Sequence, residues 1–71
     1  MTIADVVSRI AALDKTRFPD GDWDDEGAHE AEDLFYLDVL QSIADGTADD
    51  PAEMARLALT TQDMDFYRWY G

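Results

Sequence analysis

Apolar residues recur every three or four positions near the start of the chain, which is the spacing of one helical face. Thr2 and Asp5 come just before and within the first turn, where they fit the two ends of a capping box. The apolar positions that follow are Ile3, Val6, Val7, Ile10, Ala11 and Leu13. The pattern therefore predicts a first helix from Thr2 to about Lys15.

A second helical pattern runs from Ala28 to Ala44 and has a wide apolar arc. The members of this arc are Phe35, Tyr36, Leu37, Val39, Leu40, Ile43 and Ala44. The positions expected on the exposed strip are Asp38, Gln41 and Ser42. Gly46 follows the last apolar position and is typical of a helix end, because glycine adopts the left-handed conformation without steric cost.

Asp50 and Pro51 give the clearest boundary signal in the chain. Asp50 offers a side-chain acceptor at the N-cap, and Pro51 stands at the first helical position, where its missing N–H costs nothing. A third helix is expected to begin here, and Thr60 or Thr61 would cap a short fourth helix that ends at Gly71. The fold class that follows is all-α, a small three- to four-helix bundle in one domain spanning 1–71.

The segment 18–27 joins the first two helices and contains one proline, two glycines and five acidic residues. Such a composition is typical of turns and loops. We therefore expect an acidic loop between helices 1 and 2.

Charge narrows the classes of function. Seventeen acidic residues stand against five basic ones, which gives a net charge of −12. A field of this sign repels phosphate backbones and anionic membrane surfaces, so no direct nucleic-acid or membrane contact is expected. No stretch approaches the roughly 20 apolar residues that span a bilayer, and no signal peptide is recognised, so we expect a cytoplasmic protein.

Two patterns resemble metal sites and then depart from them. Asp20, Asp22 and Asp24 have the alternate spacing of a calcium loop, but Asp25 replaces the required glycine and Ala31 replaces the bidentate glutamate. Glu26 and His29 match Glu-x-x-His, but no second copy accompanies them. A solvated acidic turn and a hydrated histidine explain these residues, so no metal and no cofactor are expected.

Enzymatic activity is not expected either. The chain has no cysteine and a single histidine, which lies among acidic residues without a nucleophile beside it in sequence.

Aromatic residues supply the remaining candidates. On a C-terminal helix Tyr67, Trp69 and Tyr70 would point in different directions, so at least one is expected on the surface or against a partner. Trp23 stands among aspartates, where it either folds back onto the core or anchors a basic partner.

These features lead to one main hypothesis and two alternatives. The main hypothesis is a non-enzymatic module that binds a basic protein surface, such as that of a nucleic-acid-binding protein, as an inhibitor or nucleic-acid mimic. The residues assigned to partner binding are Asp20, Asp22, Trp23, Asp24, Asp25, Glu26, Glu30, Asp33, Tyr67, Trp69 and Tyr70. The first alternative is a homodimer or larger assembly built through the C-terminal aromatic residues. The second is a cation-binding regulator that uses Asp20, Asp22 and Asp24 with Glu30 or Glu32.

Overall fold

The computed structural model describes residues 1–68, which form three α-helices and one 3₁₀ turn. The helices are α1 (Ile3–Asp14), α2 (Asp25–Ala44) and α3 (Pro51–Leu59), and the 3₁₀ turn covers Thr60–Asp63. Within residues 1–68 there is no strand, and one isolated antiparallel bridge joins Arg17 to Trp23. The prediction of an all-α protein is confirmed.

The starts of α1 and α3 lie where the caps predicted them. The Thr2 hydroxyl accepts a hydrogen bond from the Asp5 N–H at 3.1 Å, and the Asp5 carboxylate accepts one from the Thr2 N–H at 2.8 Å. The hydrogen bond from the Thr2 backbone is the main reason that the pKa of Asp5 lies below its ordinary value. At α3, the Asp50 carboxylate accepts from the Glu53 N–H at 3.2 Å, with Pro51 in the first turn.

Helix α2 begins three residues earlier than its apolar pattern suggested. The Asp24 carboxylate caps the helix by accepting from the Gly27 N–H at 3.2 Å, and acids in the first turn favour a helix start. The helix ends in a Schellman motif, in which Gly46 has a φ of 72° and the Thr47 N–H reaches the Ser42 carbonyl at 3.0 Å. The loop before α2 is therefore shorter than expected.

The prediction of a fourth helix is wrong for the described residues. The chain leaves the 3₁₀ turn at Met64 in an extended conformation. Arg68 turns back and donates to the carbonyl oxygens of Thr61, Met64 and Phe66 at 2.9, 3.1 and 3.3 Å. These carbonyls are thus satisfied without a helical turn. Trp69 and Tyr70, two of the predicted binding residues, lie outside the described residues.

The core has two parts, and α2 contributes to both. The first contains Val6, Phe35, Val39, Met54 and Ala58. The second contains Leu13, Trp23, Ala28 and Phe66. The non-helical segment that follows the 3₁₀ turn thus closes the second part by packing Phe66 against Trp23 in the loop between α1 and α2.

The predicted apolar arc of α2 is only partly buried. Phe35 and Val39 enter the core, but Leu37 is 61% exposed and Leu40 is 64% exposed. Ser42, expected on the exposed strip, is buried instead. The reason is geometric, since the buried residues of α2 recur at spacings of four and three and so lie on a single face of the helix; they are Ala28, Glu32, Phe35, Val39 and Ser42.

Candidate protein-binding surface

The connection between α1 and α2 is a tight turn that holds two aspartates at the surface. The Phe18 N–H donates to the Asp22 carbonyl at 2.6 Å, and Gly21 takes a φ of 94° between them. The Asp20 carboxylate accepts from the Asp22 N–H at 3.0 Å, in the manner of an Asx turn. Asp20 therefore stabilises the turn, while the exposed Asp22 carboxylate accepts no hydrogen bond from within residues 1–68.

Trp23 folds back onto the core, the first of the two placements considered from the sequence. It is 9% exposed, and its indole N–H donates to the Asp65 carboxylate at 2.8 Å. The Arg17 guanidinium carbon lies over the ring, 4.5 Å from its centroid, and Phe66 packs against it edge-on with ring centroids 5.3 Å apart. Because these contacts occupy the ring, Trp23 is not the exposed anchor proposed in the second placement.

Beside Trp23 lies an open polar depression of about 530 Å³. We call this the polar depression; it is lined by Phe18, Gly21, Asp22, Trp23, Asp25, Asp65 and Tyr67. Phe18 and Tyr67 are 52% and 60% exposed. The depression therefore combines three carboxylates with exposed aromatic surface.

Two hydrogen bonds tie the C-terminal segment to this depression. The Asp25 carboxylate accepts from the Tyr67 N–H at 2.9 Å, and Asp65 accepts from the Trp23 indole. The bond from Trp23 is the main cause that lowers the pKa of Asp65 below its ordinary value. Asp65 therefore remains ionised at neutral pH. No local pattern in the sequence marks it as part of this site, because 42 positions separate it from Trp23.

The other predicted acids lie elsewhere. Glu26, Glu30 and Asp33 occupy the exposed face of α2, and the His29 Nε2 lies 3.1 Å from the Asp33 carboxylate. Asp24 is the cap of α2. Apart from Asp24 at the cap and Asp20 in the turn, the predicted binding residues within the described part of the chain divide between the polar depression and the outer face of α2.

Glu32 is a buried member of a polar network that the sequence did not reveal. It is 2% exposed, and its two carboxylate oxygens accept from the Arg68 guanidinium at 2.7 and 2.9 Å. The Thr61 hydroxyl donates to it at 2.8 Å, and the Tyr36 hydroxyl lies 3.4 Å away. Burial raises the pKa of Glu32, but these hydrogen bonds and the charge of Arg68 outweigh burial and leave the pKa below its ordinary value.

The ion pair between Glu32 and Arg68 removes Glu32 from the candidate cation ligands. Glu32 is occupied by Arg68, so it is not available beside Asp20, Asp22 and Asp24. The only sequence signal for its burial is spacing, since Glu32 follows Ala28 by four positions and precedes Val39 by seven on the inward face of α2. Its role is structural, because it holds the segment that carries Asp65 and Tyr67 against α2.

The arginines of the protein are already paired with carboxylates. Each of the four arginines lies against a carboxylate, and these pairs are Arg9 with Asp38, Arg17 with Asp14, Arg56 with Glu53 and Arg68 with Glu32. Most of the seventeen acidic residues are therefore left without an arginine partner.

Residues 1–68 include no group of three or more histidine, aspartate or glutamate side chains placed to hold a metal ion. In the same part of the chain, no helix has the length and apolar character needed to cross a membrane.

Comparison of the chain with protein-family models, characterised proteins and solved structures found no match.

Proposed function

We propose that the protein is a non-enzymatic binding module that engages a basic surface of another protein. In this proposal a small three-helix bundle is the scaffold, and the acidic loop between helices 1 and 2 presents the polar depression to the partner. The observation that carries the proposal is the combination, in one depression, of Asp22, Asp25 and Asp65 with the exposed rings of Phe18 and Tyr67.

This combination suits a guanidinium group better than a simple anion or an apolar ligand. An arginine side chain offers planar donors that pair with carboxylates, and its flat face stacks on aromatic rings. The protein itself shows both contacts, since Arg68 pairs with Glu32 while its guanidinium carbon lies 3.9 Å from the Phe66 ring centroid. A partner arginine in the depression would find the same chemistry.

The net charge of −12 supports the same proposal at longer range. Complementary fields raise the association rate and select against partners of the wrong sign. Carboxylates on such a surface take the place of nucleic-acid phosphates, so the partner class that fits is a nucleic-acid-binding protein whose basic site the module would cover. Inhibition of that protein is the expected consequence.

The first test is titration of a short arginine peptide into the isotopically labelled protein, followed by NMR. We expect saturable shifts at Asp22, Asp25 and the Trp23 indole N–H, with affinity that falls as salt increases. The variant Asp22→Lys with Asp25→Lys should lose binding.

The matched control is Asp45→Lys with Asp49→Lys, which changes the net charge equally at the far end of α2. It should retain the shifts at the depression, and thermal melts would verify that both double variants fold. Equal weakening by the two pairs would mean that charge alone attracts the peptide and that the depression is not the site.

A further inference from the structure

The outer face of α2 carries a regular stripe of exposed residues. Positions 26, 30, 33, 37, 40 and 44 follow each other at alternating spacings of four and three, which is the spacing that faces a partner in paired helices. We call this set the outer stripe; its members are Glu26, Glu30, Asp33, Leu37, Leu40 and Ala44, all of them exposed. Its first half is acidic and its second half is apolar.

The apolar half continues into a groove between α2 and α3. The groove has a volume of about 240 Å³ and only apolar lining surface. Its lining residues are Tyr36, Val39, Leu40, Ala55, Ala58 and Leu59. Leu40 belongs to both features, and Leu59, like Leu40, is largely exposed, so stripe and groove form one surface.

The charge pattern decides between a second copy of the chain and a different partner. In a parallel pair of α2 helices, Glu26, Glu30 and Asp33 would face the same acids of the other copy. In an antiparallel pair, the acids of each copy would face Leu37, Leu40 and Ala44 of the other. Both arrangements are unfavourable, and each copy carries a charge of −12.

We propose that the outer stripe and its groove receive an amphipathic helix from another protein, with apolar residues at one end and basic residues at the other. The apolar end lies on Leu37 and Leu40 and inserts a side chain into the groove. The basic end lies along Glu26, Glu30 and Asp33. This is recognition of a helix by an apolar groove, with charge setting the direction of the helix.

The inference rests on the proposed function in one respect, since both require a basic partner. It differs in the surface used and in the need for apolar contact. A partner that offers positive charge without apolar residues therefore should not bind tightly at the outer stripe. The experiment tests the need for positive charge and the need for apolar contact separately.

The probe is a synthetic amphipathic helix with leucines in one half of its interacting face and lysines in the other. A control peptide has glutamine in place of each leucine and keeps every charge. Binding is measured by fluorescence anisotropy against the full chain and against Leu40→Asp, Leu59→Asp and, as the matched control on α1, Val7→Asp, since Val7 is also exposed. Thermal melts verify that each variant is folded.

We expect the leucine peptide to bind at least about tenfold more tightly than the glutamine peptide, because a few buried apolar anchors dominate such interfaces. Leu40→Asp and Leu59→Asp should each weaken binding by about the same factor, and Val7→Asp should leave it unchanged. Replacing Glu26 and Glu30 with lysine should weaken binding of both peptides.

Four outcomes would overturn the inference. If both peptides bind equally, or if Leu40→Asp binds as well as the unchanged protein, the groove is not used and the purely electrostatic function survives. If neither peptide binds, no helix docks here, and the arginine titration at Asp22 and Asp25 still decides the proposed function. If sedimentation shows a dimer that Leu40→Asp dissociates, the surface joins two copies of this chain.

Discussion

Replacement of Arg68 with alanine should remove much of the protein's stability. Arg68 gives two charged hydrogen bonds to the buried Glu32, bonds to three backbone carbonyls and a cation–π contact with Phe66. Without it, the donors that remain to the Glu32 carboxylate within residues 1–68 are the hydroxyls of Thr61 and Tyr36. The variant therefore leaves a buried charge without its counter-charge.

The expected loss in the free energy of unfolding is large relative to the stability of the whole protein. Removing one partner of a buried ion pair costs about 3–5 kcal/mol. At about 0.05–0.15 kcal/mol per residue, a domain of this length has a free energy of unfolding of about 4–11 kcal/mol. Arg68→Ala should therefore lose about half of the stability and expose the second part of the core, which includes Phe66.

The sign of the pH dependence gives a sharper test. In the unchanged protein the pKa of Glu32 is below its ordinary value of 4.5. Its contribution to stability is therefore present above that value and is lost as pH falls through the folded pKa. In Arg68→Ala, burial dominates and the folded pKa rises above 4.5. Ionised Glu32 then destabilises the fold, so stability falls as pH rises through that pKa.

The measurement is urea denaturation of both proteins between pH 4 and pH 7, with Arg56→Ala as the control. Arg56 forms an exposed pair with Glu53, so its loss should change stability far less. The deficit of Arg68→Ala should shrink as the pH falls from 7 towards 4.5, and that of Arg56→Ala should not follow this course. If both variants show the same small, pH-independent deficit, the buried pair does not hold the C-terminal segment.

Three further results are expected. Gly46→Ala should lower the free energy of unfolding by about 1 kcal/mol in urea denaturation, because Gly46 has a φ of 72° at the end of α2; an unchanged value would contradict the Schellman end. Trp23→Phe should raise the pKa of Asp65 in an NMR titration, since the indole N–H is its main stabilising donor, and a constant pKa would show that this bond is not formed. Moderate salt should raise the melting temperature by screening repulsion at a net charge of −12, and a melting temperature independent of salt would mean that the charges are offset by pairing.

The helix starts could be predicted because their causes are local. Thr2 with Asp5, and Asp50 with Pro51, act within one turn of helix. The C-terminal helix was predicted wrongly because the deciding contact is distant. Arg68 pairs with Glu32, 36 positions away, and the last described residues form no regular helix.

The candidate site was predictable in composition but not in arrangement. Asp22 and Asp25 were recognised from the acidic run, while Asp65 joins them only through tertiary packing. Periodicity likewise places Leu37 and Leu40 on the apolar arc of the second helix, but it does not show whether another helix covers that part of the arc. Their exposure is a consequence of tertiary packing, since the buried residues of α2 lie on its opposite face.

The position of Trp23 gives the protein a built-in optical reporter. Its ring is enclosed by Arg17 and Phe66, and its indole N–H is bonded to an acid in the wall of the polar depression. A cation that draws Asp65 away from the indole would alter the emission of Trp23 directly. Since the chain has only two tryptophans, Trp69→Phe would leave Trp23 as the sole emitter, and occupancy of the depression could be followed by fluorescence without an added label.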